Sequence, residues 1–287
     1  MSEKVKIVAI TGPTATGKTA LAVRLAEKFD GEIISVDSRQ VYRFMDLGTG
    51  KDLEEYGNVP YHLINIADPW SDTYNLSFFC RDAFEAIRDI TSRGKLPILC
   101  GGTALYLDAL LKGYRLPGGQ LPPREKDVAR SVADYSAAPS FTPPFELDPL
   151  VIGVLFDRKV VRERIEKRLD ARFAAGMTDE VRKLHDEQGV SYEKLEFFGL
   201  EYREIALYLQ GKCTFEEMRQ SLLDKIRQFA KRQDIFFRKI ERSGQEIYWC
   251  REGKDPDPAE LVRKFTAGET LPEITFRLSE VDYGKKK

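Results

Sequence analysis

Residues 12–19 read GPTATGKT and follow the apolar run 5–10, so the match to G-x-x-x-x-G-K-[ST] sits between a strand and a helix, where that motif belongs. In such a loop Gly12 and Gly17 let the backbone turn its N–H groups inward, and Pro13, Thr14, Ala15 and Thr16 form the cradle between them. Lys18 brings a point charge to the phosphates, and the Thr19 hydroxyl is placed for Mg²⁺. The plain alternative is an ordinary strand-to-helix turn, and the surrounding pattern weighs against it. The loop does not say whose phosphates it holds. They are the β and γ groups of ATP, or the diphosphate of something unrelated to a nucleotide.

A P-loop ATPase or GTPase usually carries an Asp at the end of a later apolar strand. Here LPILC (96–100) runs into Gly101-Gly102-Thr103 with no acid, whereas VIGVLFD (151–157) ends in Asp157. The acid best placed beside the loop is Asp37, because sequential parallel strands tend to be neighbours and sites form at strand C-termini. Asp37 could hold Mg²⁺ through water or remove a proton from an acceptor. Its structural alternative is a helix N-cap or a turn.

Two basic stretches follow. Arg164, Arg168 and Arg172 recur every four residues beside Ile165, Leu169 and Phe173, so one helix face packs down while its neighbour presents guanidinium groups. That stripe reads as a salt-bridged, solvated face with Glu163, Glu166 and Asp170, or as a lid whose arginines close on diphosphate charge. Residues 219–242 hold eight Lys/Arg against three Asp/Glu, with Lys231, Arg232, Arg238 and Lys239 interleaved with Phe229, Phe236 and Phe237. Met218, Leu222, Ile226 and Phe229 recur at helical spacing, which assigns the aromatics to the core. The cations are then left to hold an RNA backbone or to be solvated.

The scaffold for these groups is legible as alternation. Strand-like runs at 5–11, 32–37 and 96–100 alternate with helix-like runs at 18–29, 76–93 and 105–112, which predicts a parallel sheet covered on both faces. Residues 1–114 thus read as the first part of an α/β core. Residues 115–149, rich in Pro, Ala and Ser, read as a short insertion with one helix near 125–135. Residues 150–250 complete the core with a strand at 151–156, a charged helix at 159–175, a shorter helix capped by Thr178 and running through His185, and C-terminal helices packed on the core. The last of these opens with the Thr214/Glu217 capping box and reaches about Arg242. Residues 251–287 read as a loosely attached tail.

With 287 residues the chain can bury one sizeable core. Its 45 Lys+Arg and 46 Asp+Glu leave a net charge of −1, so contact with nucleic acid has to come from a local patch. Cys80, Cys100, Cys213 and Cys250 form no C-x-x-C pair and have only His62 and His185 to help them, which argues against zinc. Unpaired cysteines, no signal-like start and no run of eighteen apolar residues predict a soluble, cytoplasmic protein with no membrane span.

Six stretches together resemble one family, the tRNA dimethylallyltransferases, also called tRNA isopentenyltransferases. They are GPTATGKTALAVRLA, IISVDSRQVYRFMDLGTGK, YHLINIADPW, RGKLPILCGGTALYLDALLKG, RERIEKRLDARFAAGMTDEVRKL and AKRQDIFFR, in family order. DSRQ-x-Y followed by GT-x-K, and GGT-x-LY, are far more specific than the phosphate loop alone. The resemblance implies a P-loop NTPase-like sheet and a monomer that moves a dimethylallyl group from its diphosphate to N6 of an adenine next to the tRNA anticodon. It further implies that residues 12–19 and Arg168 bind the diphosphate with Mg²⁺ near Thr19, and that Asp37 is the general base. Ser38, Arg39, Gln40 and Thr103 would meet the target nucleotide, Lys231 and Arg232 the tRNA, with Lys18, Thr103 and Arg168 joining Asp37 in catalysis. Two departures touch RNA recognition. The family's long helical insertion is reduced to residues 115–149, and its R-Q-x-T-W-F-R run reads R-Q-D-I-F-F-R at 232–238. A free adenine nucleotide therefore stands as the alternative acceptor, and a P-loop kinase for a small metabolite as the rival from another class.

Overall fold

A computed structural model describes residues 4–70, 74–116 and 140–281. Six strands, β1 (Val5–Thr11), β2 (Gly31–Ser35), β3 (Tyr61–His62), β4 (Leu96–Cys100), β5 (Leu147–Leu155) and β6 (Tyr248–Arg251), form one sheet in the order β3-β2-β4-β1-β5-β6. Every pairing is parallel. The helices are α1 (Lys18–Phe29), α2 (Leu76–Ser92), α3 (Ala104–Leu111), α4 (Arg158–Ala174), α5 (Met177–Asp186), α6 (Tyr192–Phe197), α7 (Leu200–Leu209), α8 (Phe215–Arg242) and α9 (Pro258–Ala267).

The strands are Val/Ile/Leu-rich without alternation because both faces of the sheet are covered. Ile7 and Ala9 of β1 share a cluster with Phe79, Ala83 and Ile87 of α2 and Leu107 and Leu110 of α3. Val8 and Ile10 face the other way, toward Leu21, Ala22 and Leu25 of α1 and Leu261, Val262 and Phe265 of α9. A third cluster joins α4 to α8 and receives Val41, Tyr42, Met45 and Ala67 from the loops after β2 and β3. Among the described residues no helix is long and apolar enough to cross a membrane.

Four expectations are corrected. β2 does not neighbour β1, because β4 lies between them; its Ile98 and Leu99 are fully buried, which suits the central slot, while the two-residue β3 takes the edge. β5 begins at Leu147, within the stretch read as insertion, and its first residues pair with Val5–Ile7. α5 is opened by Gly176 in the left-handed region (φ 96), with no side-chain cap, so Thr178 lies inside the first turn. Residues 251–281 are not loose: β6 pairs with β5, α9 packs on the α1 face, and Arg238 Nε donates to the carbonyl of the fully buried Leu278 (2.9 Å). A short apolar stripe in a polar, proline-containing segment concealed that docking. The helix expected near 125–135 lies outside the described residues, and α6, α7 and β3 were not anticipated.

Because Leu261 is 2% exposed against α1, Leu261→Ala is expected to cost about 2–5 kcal/mol in denaturant unfolding. A loose tail would register no change.

Candidate active site

The site forms where the strands end. β1 stops at Thr11, and Gly12 turns the chain at φ 140, so close to β5 that a Cβ there would lie 2.5 Å from the Val154 carbonyl oxygen. Within the loop the Thr16 hydroxyl and the Lys18 ammonium both donate to the Pro13 carbonyl, at 2.9 and 2.7 Å. Gly17, at φ 77, opens α1 without a side-chain cap, which leaves the first helical N–H groups free to meet an anion. Ala15 also sits at positive φ, 63°, as the inward curl of the loop requires.

β4 runs beside β1, with Cys100 opposite Ile10, and Gly101 and Gly102 follow it. A Cβ on Gly101 would lie 2.1 Å from the Val36 carbonyl oxygen, and one on Gly102 2.5 Å from Gln233 Nε2 and 3.6 Å from the Gly12 oxygen. Two missing side chains therefore let the segment leaving β2 cross the end of β4 toward the phosphate loop. Val36 N–H donates to the Cys100 carbonyl (2.8 Å) and Thr103 N–H to the Val36 carbonyl (3.2 Å), which fixes that crossing. Asp37 is the next residue. Its approach to the loop comes from this crossing and not from strand adjacency.

Asp37 Oδ1 accepts from the N–H groups of Arg39 (2.8 Å) and Gln40 (3.3 Å), so the turn role set against it is real. That turn uses one oxygen and leaves Oδ2 for other work. Burial pushes the Asp37 carboxyl above its usual value, against those two N–H bonds and the charges of Arg39 and Lys18. Burial likewise pulls the Lys18 ammonium down to about 8, with Arg168 adding to the effect and Cys100 and Asp37 opposing it. The Thr19 hydroxyl meets the Cys100 thiol, which burial raises to about 11.

Around Asp37, Thr103 Oγ1 accepts from Ser38 N–H (3.2 Å) at the start of α3. Gln40 accepts from the Ser35 hydroxyl (2.8 Å) and donates to the Gly50 carbonyl (3.1 Å). Arg39 is drawn to α6, donating to the Phe197 carbonyl (3.2 Å) and lying over its ring. The GT-x-K lysine is structural: Lys51, 1% exposed, donates to the Tyr42 carbonyl and to the Asp46 and Asn65 side chains. Glu180 holds the same loop by accepting from the N–H groups of Asp46, Leu47 and Gly48.

The arginine stripe splits. Arg168 Nη2 donates to the Thr14 hydroxyl, and burial, then the charge of Arg172, pulls this guanidinium down to about 10. Arg164 instead stacks on Phe156 (3.9 Å), and Arg172 reaches Asp52 (3.5 Å). Lys231 and Arg232 are exposed on α8. Asp157, the acid ending the VIGVLFD run, caps α4 by accepting from Lys159 N–H (2.7 Å).

One site residue went unassigned in the sequence. Gln233 accepts from Thr14 N–H (2.9 Å) and donates to the Gly102 carbonyl (2.9 Å), joining the phosphate loop to the glycine pair. Its signal was a polar residue on the buried stripe Leu222, Ile226, Ala230 and Phe237. Phe229, assigned to that stripe from its spacing, is 38% exposed; Ala230 takes its place one residue on.

Comparison with known proteins gives the family of the chain. The family profile described as IPP transferase matches residues 40–141 and 127–240, and the one described as Isopentenyl transferase matches residues 5–57. tRNA dimethylallyltransferase 1 of Geotalea daltonii is 44% identical, over 87% of this chain and 92% of its own length. The chain belongs to the tRNA dimethylallyltransferase family. Its relative in Geotalea uraniireducens is 43% identical over 90% of this chain and 97% of that one. The full-length tRNA isopentenylpyrophosphate transferase of Bacillus halodurans has the same fold, with a TM-score of 0.75 at 33% identity, covering 92% of this chain and 96% of that one. The Geotalea daltonii alignment runs over 286 residues while using 87% of this chain, so that dimethylallyltransferase carries segments with no counterpart here.

In this family member Gln233→Ala leaves a loop N–H and a glycine carbonyl without partners. The expected result is about five- to a hundredfold weaker binding of a prenyl diphosphate by calorimetry, from a loss of about 1–3 kcal/mol. Unchanged affinity would deny Gln233 a part in shaping the loop.

Proposed function

We propose that this protein transfers a dimethylallyl group from dimethylallyl diphosphate to N6 of an adenine next to the anticodon of tRNA, releasing diphosphate. The supporting observation is a desolvated carboxylate, Asp37, in the electric field of the phosphate-loop lysine, Lys18. The adenine amine attacks the first carbon of the prenyl group as that carbon's bond to the diphosphate oxygen breaks. The N6 proton passes to Asp37, whose raised proton affinity makes it a stronger base than an ordinary carboxylate. Charge gathers on the leaving diphosphate, where Lys18, Arg168 and the N–H groups of residues 12–19 act most strongly in the transition state.

Mg²⁺ suits the hard oxygen donors at this end of the site, the Thr19 hydroxyl and, through water, Asp37, and would neutralise diphosphate charge. Ser38, Arg39, Gln40 and Thr103 frame the adenine, and Lys231 and Arg232 offer exposed cations to the tRNA backbone. The proposed setting is a monomer in the cytoplasm, where tRNA is found. Of the two strands that flank β1, β4 ends in Cys100 and β5 leads to Asp157, which is engaged in capping α4; neither offers the acid an ATPase uses, and this favours a prenyl diphosphate over ATP as the occupant.

Incubation with dimethylallyl diphosphate, Mg²⁺ and unmodified tRNA is expected to give prenylated adenine; AMP run in parallel decides the acceptor. No product from either would sink the proposal. Asp37→Asn is expected to lower kcat by about 10²–10⁴-fold with diphosphate binding retained, whereas equal loss of both reassigns Asp37 to the metal.

The pH profile carries a sign. Asp37 works deprotonated and its pKa is raised, so kcat/KM climbs with pH through a point above the ordinary Asp value. Lys18 works protonated, so kcat/KM falls again above about 8. An acid limb at the ordinary Asp value would contradict the role of Asp37.

A further inference from the structure

We infer that Phe44 and Trp70 form a stacking platform for an unpaired nucleobase of the tRNA acceptor, an inference that rests on the tRNA reading above. The loops after β2 and β3 do not part at once. Tyr42 and Ala67 form a parallel bridge that continues the β2–β3 pairing past the carboxyl edge of the sheet, and Arg43 N–H donates to the Ala67 carbonyl (2.9 Å). Phe44 and Trp70 come next on the two segments, with ring centroids 5.7 Å apart and planes 32° from parallel. They are 49% and 40% exposed. This is the edge of the sheet from which Asp37 and the phosphate loop also leave. The order β3-β2-β4-β1 places the pair on the far side of Asp37 from the phosphate loop. An acceptor whose adenine meets Asp37 and whose chain leads away from the prenyl donor is carried toward these two rings.

The pair is held out deliberately by its surroundings. Phe44 has φ 64, a left-handed backbone that a glycine adopts freely and a bulky residue resists. On either side of Arg43 and Phe44, Tyr42 and Met45 are fully buried, and Lys51 and Glu180 pin the backbone at Tyr42 and at residues 46–48. The Phe44 ring cannot swing inward without undoing those contacts. Rigid, exposed aromatic faces stack on bases with little regard to sequence, and only unpaired nucleotides offer a free face. Arg43, half-exposed and paired with Asp68 (2.6 Å), stands next to the platform as a cation for the adjoining phosphates. The partner is therefore a single-stranded RNA loop.

The chain has two tryptophans, and the other, Trp249, is 3% exposed and donates to Glu241 (2.7 Å), so emission that responds to RNA reports Trp70. Titrating the full chain with an unmodified anticodon stem-loop is expected to quench that emission by more than about half, with no response in Trp70→Phe or to the paired stem alone. Phe44→Gly is expected to raise KM for tRNA about tenfold, leave KM for dimethylallyl diphosphate unchanged, and keep or raise the melting temperature, because the backbone strain is relieved. Trp70→Ala should act likewise on KM for tRNA, and Trp70→Phe should hold it within about threefold. Unchanged Trp70 emission with an RNA that is bound and prenylated overturns the platform. So does an emission change that follows protein concentration without RNA, which would make the face a contact between two copies. A Phe44→Gly variant that melts early with KM for tRNA unaltered overturns it as well. If no tRNA is bound or prenylated at all, the acceptor reading itself fails and the platform fails with it.

Discussion

The site depends on an absence of side chains at the end of β4. Gly101 and Gly102 occupy the point where three segments converge: the exit of β2 from one side, the phosphate loop from the other and α8 from above. Any Cβ at Gly101 would collide with the Val36 backbone, and the displaced segment is the one that carries Asp37. β4 separates β1 from β2 in the sheet, so without this crossing the carboxylate and the phosphate loop would stand a full strand apart. The open α/β sheet offers its crevice at the carboxyl ends of the strands, and this pair of glycines sets how narrow that crevice is.

Bringing those groups together in a dry place has an electrostatic consequence. Lys18 and Arg168 are both drawn below their usual proton affinities, and Asp37 is raised above its own, with burial the largest cause in each case. Each group is thus less comfortable in its charged form than it would be in water. Such a setting favours an anion that supplies the counter-charge two desolvated cations lack, and a proton donor beside the desolvated carboxylate. Interactions with a charged partner are stronger in such a dry, pre-oriented setting than in water.

How much of this was legible in the sequence follows from how local each feature is. The phosphate loop, the capping box at Thr214 and the helix carrying Arg168 are written in spacings of a few residues, and the structure places them where the spacing puts them. Strand order is set by packing between distant segments, so the expectation that β2 lies beside β1 failed although both strands were recognised. The stripe of Arg164, Arg168 and Arg172 could not be divided from its period alone. What each arginine meets depends on Phe156, Thr14 and Asp52, which arrive from three other parts of the chain. The docking of α9 was hidden for the same reason, since its buried Leu261, Val262 and Phe265 mean little until α1 is known to be opposite.

The departures from the family's R-Q-x-T-W-F-R run take on a different weight once α8 is placed. Ile235, where the Thr is usual, is 57% exposed, and Phe236, where the Trp is usual, is half-buried and lies under the Lys239 ammonium. Neither residue is part of the link to the phosphate loop. Arg238 at the end of the run is committed to the carbonyls of Leu278 and Val281 in the C-terminal segment. The residue of the run that touches both loops of the site is Gln233, and it is retained. One helix therefore serves two ends: its N-terminal half packs in the helical cluster, Phe237 and Ile240 pack under the sheet, and Gln233 sits at the seam between them. Substitution on the exposed face of α8 leaves that seam intact, so the outer surface of the helix can diverge while the link between Thr14 and Gly102 keeps its shape.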